Sequence, residues 1–223
     1  MLCSLLTVVF YAASSLGDKF ISAKLDCNAR EFSFLVSAAT ALFLALMLPF
    51  LGWSFAFSWR ALVILLLLIA FKIGEFYTSA YLLKTVSAYE LKAWLSINVI
   101  LSFLVDLGRG KETFFWAFIP CAAALLVGIG MIAFAHRSEG EDVKKAGFLY
   151  ILISLAYIAS KFLYGLAINE LNLTSEASRV SVLLLVMVGV ALLQLPFVRF
   201  KTFFHKKGLL LGALTRLPNA AGL

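Results

Sequence analysis

Lys72 and Glu75 are the residues best placed for chemistry, because they carry charge where almost everything around them is apolar. They interrupt the stretch Ala61 to Leu83, which is long enough for one helix to cross the hydrocarbon of a bilayer. Three residues apart, they share one face of a helix, and Ser79 continues that face one turn later. An ion in hydrocarbon costs several kcal/mol, so such residues point into a bundle or a wet cavity. Two readings follow. The face lines a path for a solute, or the pair neutralises itself and holds helices together.

A second set of polar residues repeats the theme. Tyr11, Ser14 and Ser15 stand at i, i+3 and i+4 of the first apolar segment, and Tyr157, Ser160 and Lys161 do so in the sixth. Their hydroxyls suit hydrogen bonds to a substrate, and Lys72 and Lys161 suit a carboxylate. Small polar residues also serve helix packing in membranes, which is the plainer reading of the serines. Glu75 is the acid in the middle of a span and therefore the candidate for proton coupling. Trp94 and Asn98, a turn apart in the fourth segment, are further substrate-binding candidates. Asp18 and Lys19 are expected to snorkel from the end of the first segment to the membrane interface.

The elements that must position these residues are read from composition and pattern. The chain of 223 residues is 63% hydrophobic and 14% charged, with a mean hydropathy of +1.00. A soluble domain cannot hide that much apolar surface, whereas a polytopic membrane protein need not. The first apolar run begins at Leu2 with no basic region before it, so no cleavable signal is expected. Basic residues lie in short loops with no basic stripe, so the net charge of +7 suits a membrane surface rather than nucleic acid. Cys3, Cys27 and Cys121 have neither disulfide nor metal spacing. His136 and His205 have no carboxylate or cysteine cluster near them in sequence, and Gly108-Arg109-Gly110-Lys111 is too short for a phosphate loop. Neither an enzyme nor a cofactor or metal is expected.

Seven apolar segments and the start of an eighth are predicted: Leu2 to Lys24, Phe32 to Trp53, Ala61 to Leu83, Ser87 to Val105, Thr113 to Ala135, Gly147 to Asn169, Val180 to Val198, and Gly208 onward. The pattern also repeats. Tyr11-Ala-Ala-Ser14 returns as Tyr157-Ile-Ala-Ser160 and Leu25 as Leu171, at an offset of 146 residues. Leu48-Pro49-Phe50 returns as Leu195-Pro196-Phe197 at 147, and the junction Trp59-Arg60-Ala61-Leu62 as Lys206-Lys207-Gly208-Leu209. The expected fold is an all-α polytopic membrane helix bundle of about 7 to 8 membrane helices. Residues 1–135 form one five-helix unit, 136–146 a polar linker, and 147–223 an incomplete second unit. Two full units would need about 290 to 300 residues. An odd number of helices per unit inverts the second relative to the first, which brings the two Tyr-Ser sets together across a central cavity.

Ala80 and Tyr81, Thr85-Val86-Ser87-Ala88, the helix that follows, Glu112, and Gly128-Ile129-Gly130 closing the fifth helix carry a likeness. In these features the chain resembles the drug/metabolite transporter superfamily, in particular its EamA-type families with two five-helix repeats. It departs from them in having no proline at Ser96-Ile97-Asn98 and no tenth helix. The resemblance implies a permease for a small metabolite, amino acid or drug-like solute, working by exchange or proton coupling in the cell membrane. A non-transporting membrane protein, an inactive remnant or a structural subunit, is the competing expectation. Ala124 and Gly128 have the small-xxx-small spacing that lets helices approach closely, within the fold or in a homodimer. Lys and Arg number twelve in one set of alternate loops and four in the other, which puts the first set in the cytoplasm and the N-terminus outside. The resemblance implies an N-terminus inside.

Overall fold

A computed structural model describes residues 14–25, 27–138, 147–198 and 209–216. Among them every regular element is helical. Residues 14–19 run directly into a π-helical turn, Phe20–Lys24, and together form α1. There follow α2 (Ala29–Leu51), α3 (Trp59–Thr85), α4 (Ala88–Leu95), α5 (Ile97–Gly108), α6 (Phe118–Ser138), α7 (Gly147–Asn169), α8 (Glu176–Gln194, closed by a 3-10 turn Leu195–Phe197) and α9 (Leu209–Leu214).

Short polar side chains start several of these helices. Ser58, Ser87 and Ser175 accept from the backbone N–H of Ala61, Glu90 and Ser178, each at 3.1 Å, which satisfies amides that the first turn leaves without partners. The Glu31 carboxylate accepts from the Asn28 N–H at 3.1 Å at the start of α2. The same helix ends at Gly52, whose φ of +79° is open to glycine at little cost.

Five helical stretches among the described residues are long and apolar enough to cross a bilayer: Ala29–Leu51, Trp59–Lys84, Glu90–Gly108, Leu149–Asn169 and Glu176–Phe197. Phe118–Met131 is a shorter apolar stretch. The fourth span, expected as one helix, is two. A turn at Ser96 divides α4 from α5, where the Ser96 hydroxyl leans back on the Lys92 carbonyl at 3.4 Å and the Val99 N–H reaches the Ser96 carbonyl at 3.1 Å. Back-bonding serines bend helices in this way without proline.

Packing centres on two antiparallel pairs, α2 on α8 and α3 on α7, with α3 also against α2 and α8. In the first pair Val182, Val186 and Val190 of α8 are fully buried, as are Ser33, Ser37, Thr40 and Leu44 of α2. Valines against small residues let two backbones come close, the usual source of association where lipid removes the hydrophobic drive. Most large apolar side chains elsewhere face outward, for instance Leu66, Ile151 and Leu192, as expected of surfaces that meet acyl chains. The two ends of the bundle differ. One exposes Phe50, Trp53, Phe57, Trp59 and Trp116, the amphipathic aromatics of a membrane–water boundary. The other carries Lys19, Arg30 and Lys84.

Candidate functional site

The face of α3 singled out by its charges becomes one side of a three-residue cluster. Lys72 Nζ lies 2.9 Å from Glu75 Oε2, the i,i+3 contact that a helix allows. Lys161, from α7, reaches the other oxygen of the same carboxylate, Oε1, at 3.0 Å. One carboxylate thus holds two ammoniums, one from each side of the helix pair. Lys72 and Glu75 are buried, while the Lys161 side chain keeps 38% of its surface open. The Lys72 ammonium also lies 5.0 Å from the ring centroids of Phe76 and Tyr164, both faces of negative potential. Cluster and rings therefore surround a cation in apolar surroundings with what it needs: a counter-ion, and π-faces where water is excluded.

The helices approach closely at this level. A side chain on Gly74 would bring its Cβ to 2.9 Å from Ser160 Oγ, so glycine is what lets α3 and α7 close far enough for Lys161 to reach Glu75.

The other expected residues fall in varied places. Ser79 is buried and donates to the Phe76 carbonyl at 3.1 Å, and Ser160 donates to the Ala156 carbonyl at 2.8 Å. Both hydroxyls thus engage their own helices. Tyr157 is buried on α7, within electrostatic reach of Glu75 and Asp18. Ser14 and Ser15 are buried on α1. Tyr11 lies outside the described residues, and with it the facing of Tyr11 and Tyr157. Trp94 Nε1 donates to the Tyr150 hydroxyl at 3.2 Å, and Asn98 stands across the Ser96 turn with its Oδ1 buried and without a hydrogen-bond partner among the described residues.

Asp18 and Lys19 do not snorkel. Asp18 Oδ1 pairs with Arg216 Nη1 at 2.7 Å, and Arg216, 2% exposed, also donates to the Ser14 carbonyl at 2.9 Å, joining α1 to α9. Lys19 donates to the carbonyls of Leu83 and Val86 at 2.6 and 2.7 Å, capping the C-terminal end of α3 where the dipole favours a cation. Both are engaged within the fold, Lys19 by the end of α3 and Asp18 by Arg216 just after α9.

Three further polar features escaped the sequence reading. Glu90, 1% exposed, accepts from Tyr150 at 2.6 Å. Tyr77 donates to Gln194 at 2.8 Å, tying α3 to α8. At the aromatic end, Glu170 pairs with Arg60 at 3.3 Å and Arg109 at 3.4 Å beside a cavity of about 400 Å³ bordered by Ser54, Phe55, Asn172 and Ser178. Glu170 lies just past the end of α7, nine residues beyond Lys161 and about 13 Å along the axis.

No family model, curated protein or solved structure matches the chain.

Proposed function

We propose that this chain is a secondary transporter of small solutes that works by alternating access between two inverted, related halves, in the manner of the EamA-type permeases it resembles. The observation that carries this reading is the Lys72–Glu75–Lys161 cluster. It joins residues of 1–135 to residues of 147–223 in the middle of apolar helices, where ionisable groups mark ion and substrate paths. A carboxylate shared by two cations can release one of them to a substrate or take up a proton in its place, and either event alters the contact between the halves. The proposed roles are Glu75 as proton carrier and Lys161 as the group that senses substrate charge.

Two features support the architecture. A two-fold exchange of α1 with α7, α2 with α8 and α3 with α9 carries the α3–α7 contact onto α9–α1 and the α3–α8 contact onto α9–α2, which also touch, whereas the α1–α2, α1–α3 and α2–α3 packing has no comparable mate among the described residues. The turn at Ser96 lies within a span, and non-helical backbone at that depth is tolerated where it is buried in protein or lines a cavity. The basic end faces the cytoplasm in this reading. The competing role, a non-transporting subunit, draws on Ser79 and Ser160, whose hydroxyls serve their own helices.

Reconstitution tests the proposal. Purified protein in liposomes with an imposed pH gradient should move at least one member of a panel of labelled amino acids and small metabolites at a rate about tenfold or more above protein-free liposomes. Glu75→Gln should remove the response to the gradient. No movement of any solute across the panel overturns transport. Unchanged gradient dependence in Glu75→Gln overturns the proton role.

A further inference from the structure

The charges around the cluster do not balance. Glu75 answers two lysines, and Asp18, the other acid nearby, is held by Arg216. Lys92 of α4 adds a further cation. It is exposed and lies within electrostatic reach of Asp18, Lys161, Glu75 and Lys72. Glu90 does not offset it. Two residues away, it lies on the opposite side of α4 and is bonded to Tyr150. Among the described residues, Lys72, Lys92, Lys161 and Arg216 stand against Glu75 and Asp18, while Lys19 is bonded to the carbonyls at the end of α3 and Glu90 to Tyr150. Excess positive charge between membrane helices is costly unless an anion completes it.

Aromatic side chains stand beside the cluster. Tyr157 is buried within reach of Glu75 and Asp18, and the Tyr164 ring lies against Lys72. The Tyr164 hydroxyl is buried with no hydrogen-bond partner among the described residues, an orphan donor beside a cation. Such a group is expensive to bury without a partner.

We infer that the cluster is a binding site for a small organic anion, a carboxylate carried on an apolar or aromatic body, gripped by Lys161 and Lys92 with its body against Tyr157. Lys161 is the cluster's exposed member. Its side chain keeps 38% of its surface open, so a ligand carboxylate can take Lys161 from Glu75 without disturbing Lys72. Glu75 then acts as the internal stand-in that neutralises Lys161 when no anion is bound. This inference deepens the transporter reading and rests on it for its meaning, though the binding itself can be measured separately.

Benzoate and benzamide are suitable probes, alike in shape and different in charge. In detergent-purified full-length protein, thermal stabilisation should reach half its maximum at a benzoate concentration at least about tenfold below that for benzamide. Lys161→Gln should abolish that preference and Lys161→Arg should restore it. Lys92→Gln, at an exposed position, gives a second and gentler variant and should weaken benzoate severalfold while leaving benzamide unchanged. Equal effects of the two probes on the wild-type chain overturn the anion site, as does a preference that survives Lys161→Gln and Lys92→Gln alike. Liposome flux separates this from the parent proposal. Benzoate preference without flux of any solute keeps the site and removes transport. Flux of neutral or cationic solutes without benzoate preference keeps transport and removes the anion.

Discussion

Two buried ion clusters join the first part of the chain to the last, and they are built differently. At α1–α9, one guanidinium meets one carboxylate and one backbone carbonyl, and the cation is sealed from solvent. At α3–α7, one carboxylate meets two ammoniums, and one of those remains partly open. The first is charge-matched, and a matched buried pair contributes little net stability beyond holding its own register. The second is mismatched by design of its residue types and keeps a movable member. Matching suits a fastener. Mismatch with exposure suits a site that awaits a ligand.

The largest expected effect comes from Glu75→Gln, which leaves Lys72 buried with no counter-ion and should cost about 3–5 kcal/mol in denaturant or thermal unfolding. The double variant Lys72→Met/Glu75→Leu should regain most of that stability and still lose substrate movement. If the double variant moved substrate normally, the α3–α7 cluster would be a fastener too. Arg216→Met should cost less, about 2 kcal/mol, because the Asp18 side chain it abandons retains 22% of its exposure and can recruit water. Here the comparison predicts that Asp18→Asn/Arg216→Met regains stability and transport together. Gly74→Ala should cost about 1–2 kcal/mol by pressing against Ser160, and Ser160→Ala should relieve it, since the next nearest atom stands at 3.6 Å. The smallest effect belongs to Arg60→Ala. Its partner Glu170 keeps Arg109, and both members of the lost pair are well exposed, so stability should change by no more than about 0.5 kcal/mol.

How much of this was legible in the sequence depended on range. α7 runs Gly147–Asn169, the bounds its apolar pattern predicts, and α2 and α3 start within three residues of theirs. Long runs that are apolar but for one or two charges make such helices hard to misplace. The Lys72–Glu75 contact was legible too, because i,i+3 spacing on a helix determines it. The Ser96 turn was not. It depends on one serine back-bonding, and serine is ordinary within membrane helices. Nor was the Asp18–Arg216 pair, since α1 and α9 lie at opposite ends of the chain and only packing reveals which cation meets which acid. Glu90 carried no signal in the sequence, and it is buried because Tyr150 of α7 stands over it. Contacts within one turn follow from spacing. Contacts between helices follow from the bundle.

The interruption in the fourth span has a mechanical consequence. Eight residues of α4 and twelve of α5 make two struts of about 12 and 18 Å joined at a single articulation. A jointed strut alters its reach across the bilayer by changing the angle at the joint, whereas a straight one such as α7 must tilt as a whole. Host bilayers of different acyl-chain length are therefore expected to place Lys92, borne on the shorter strut, differently relative to Glu75.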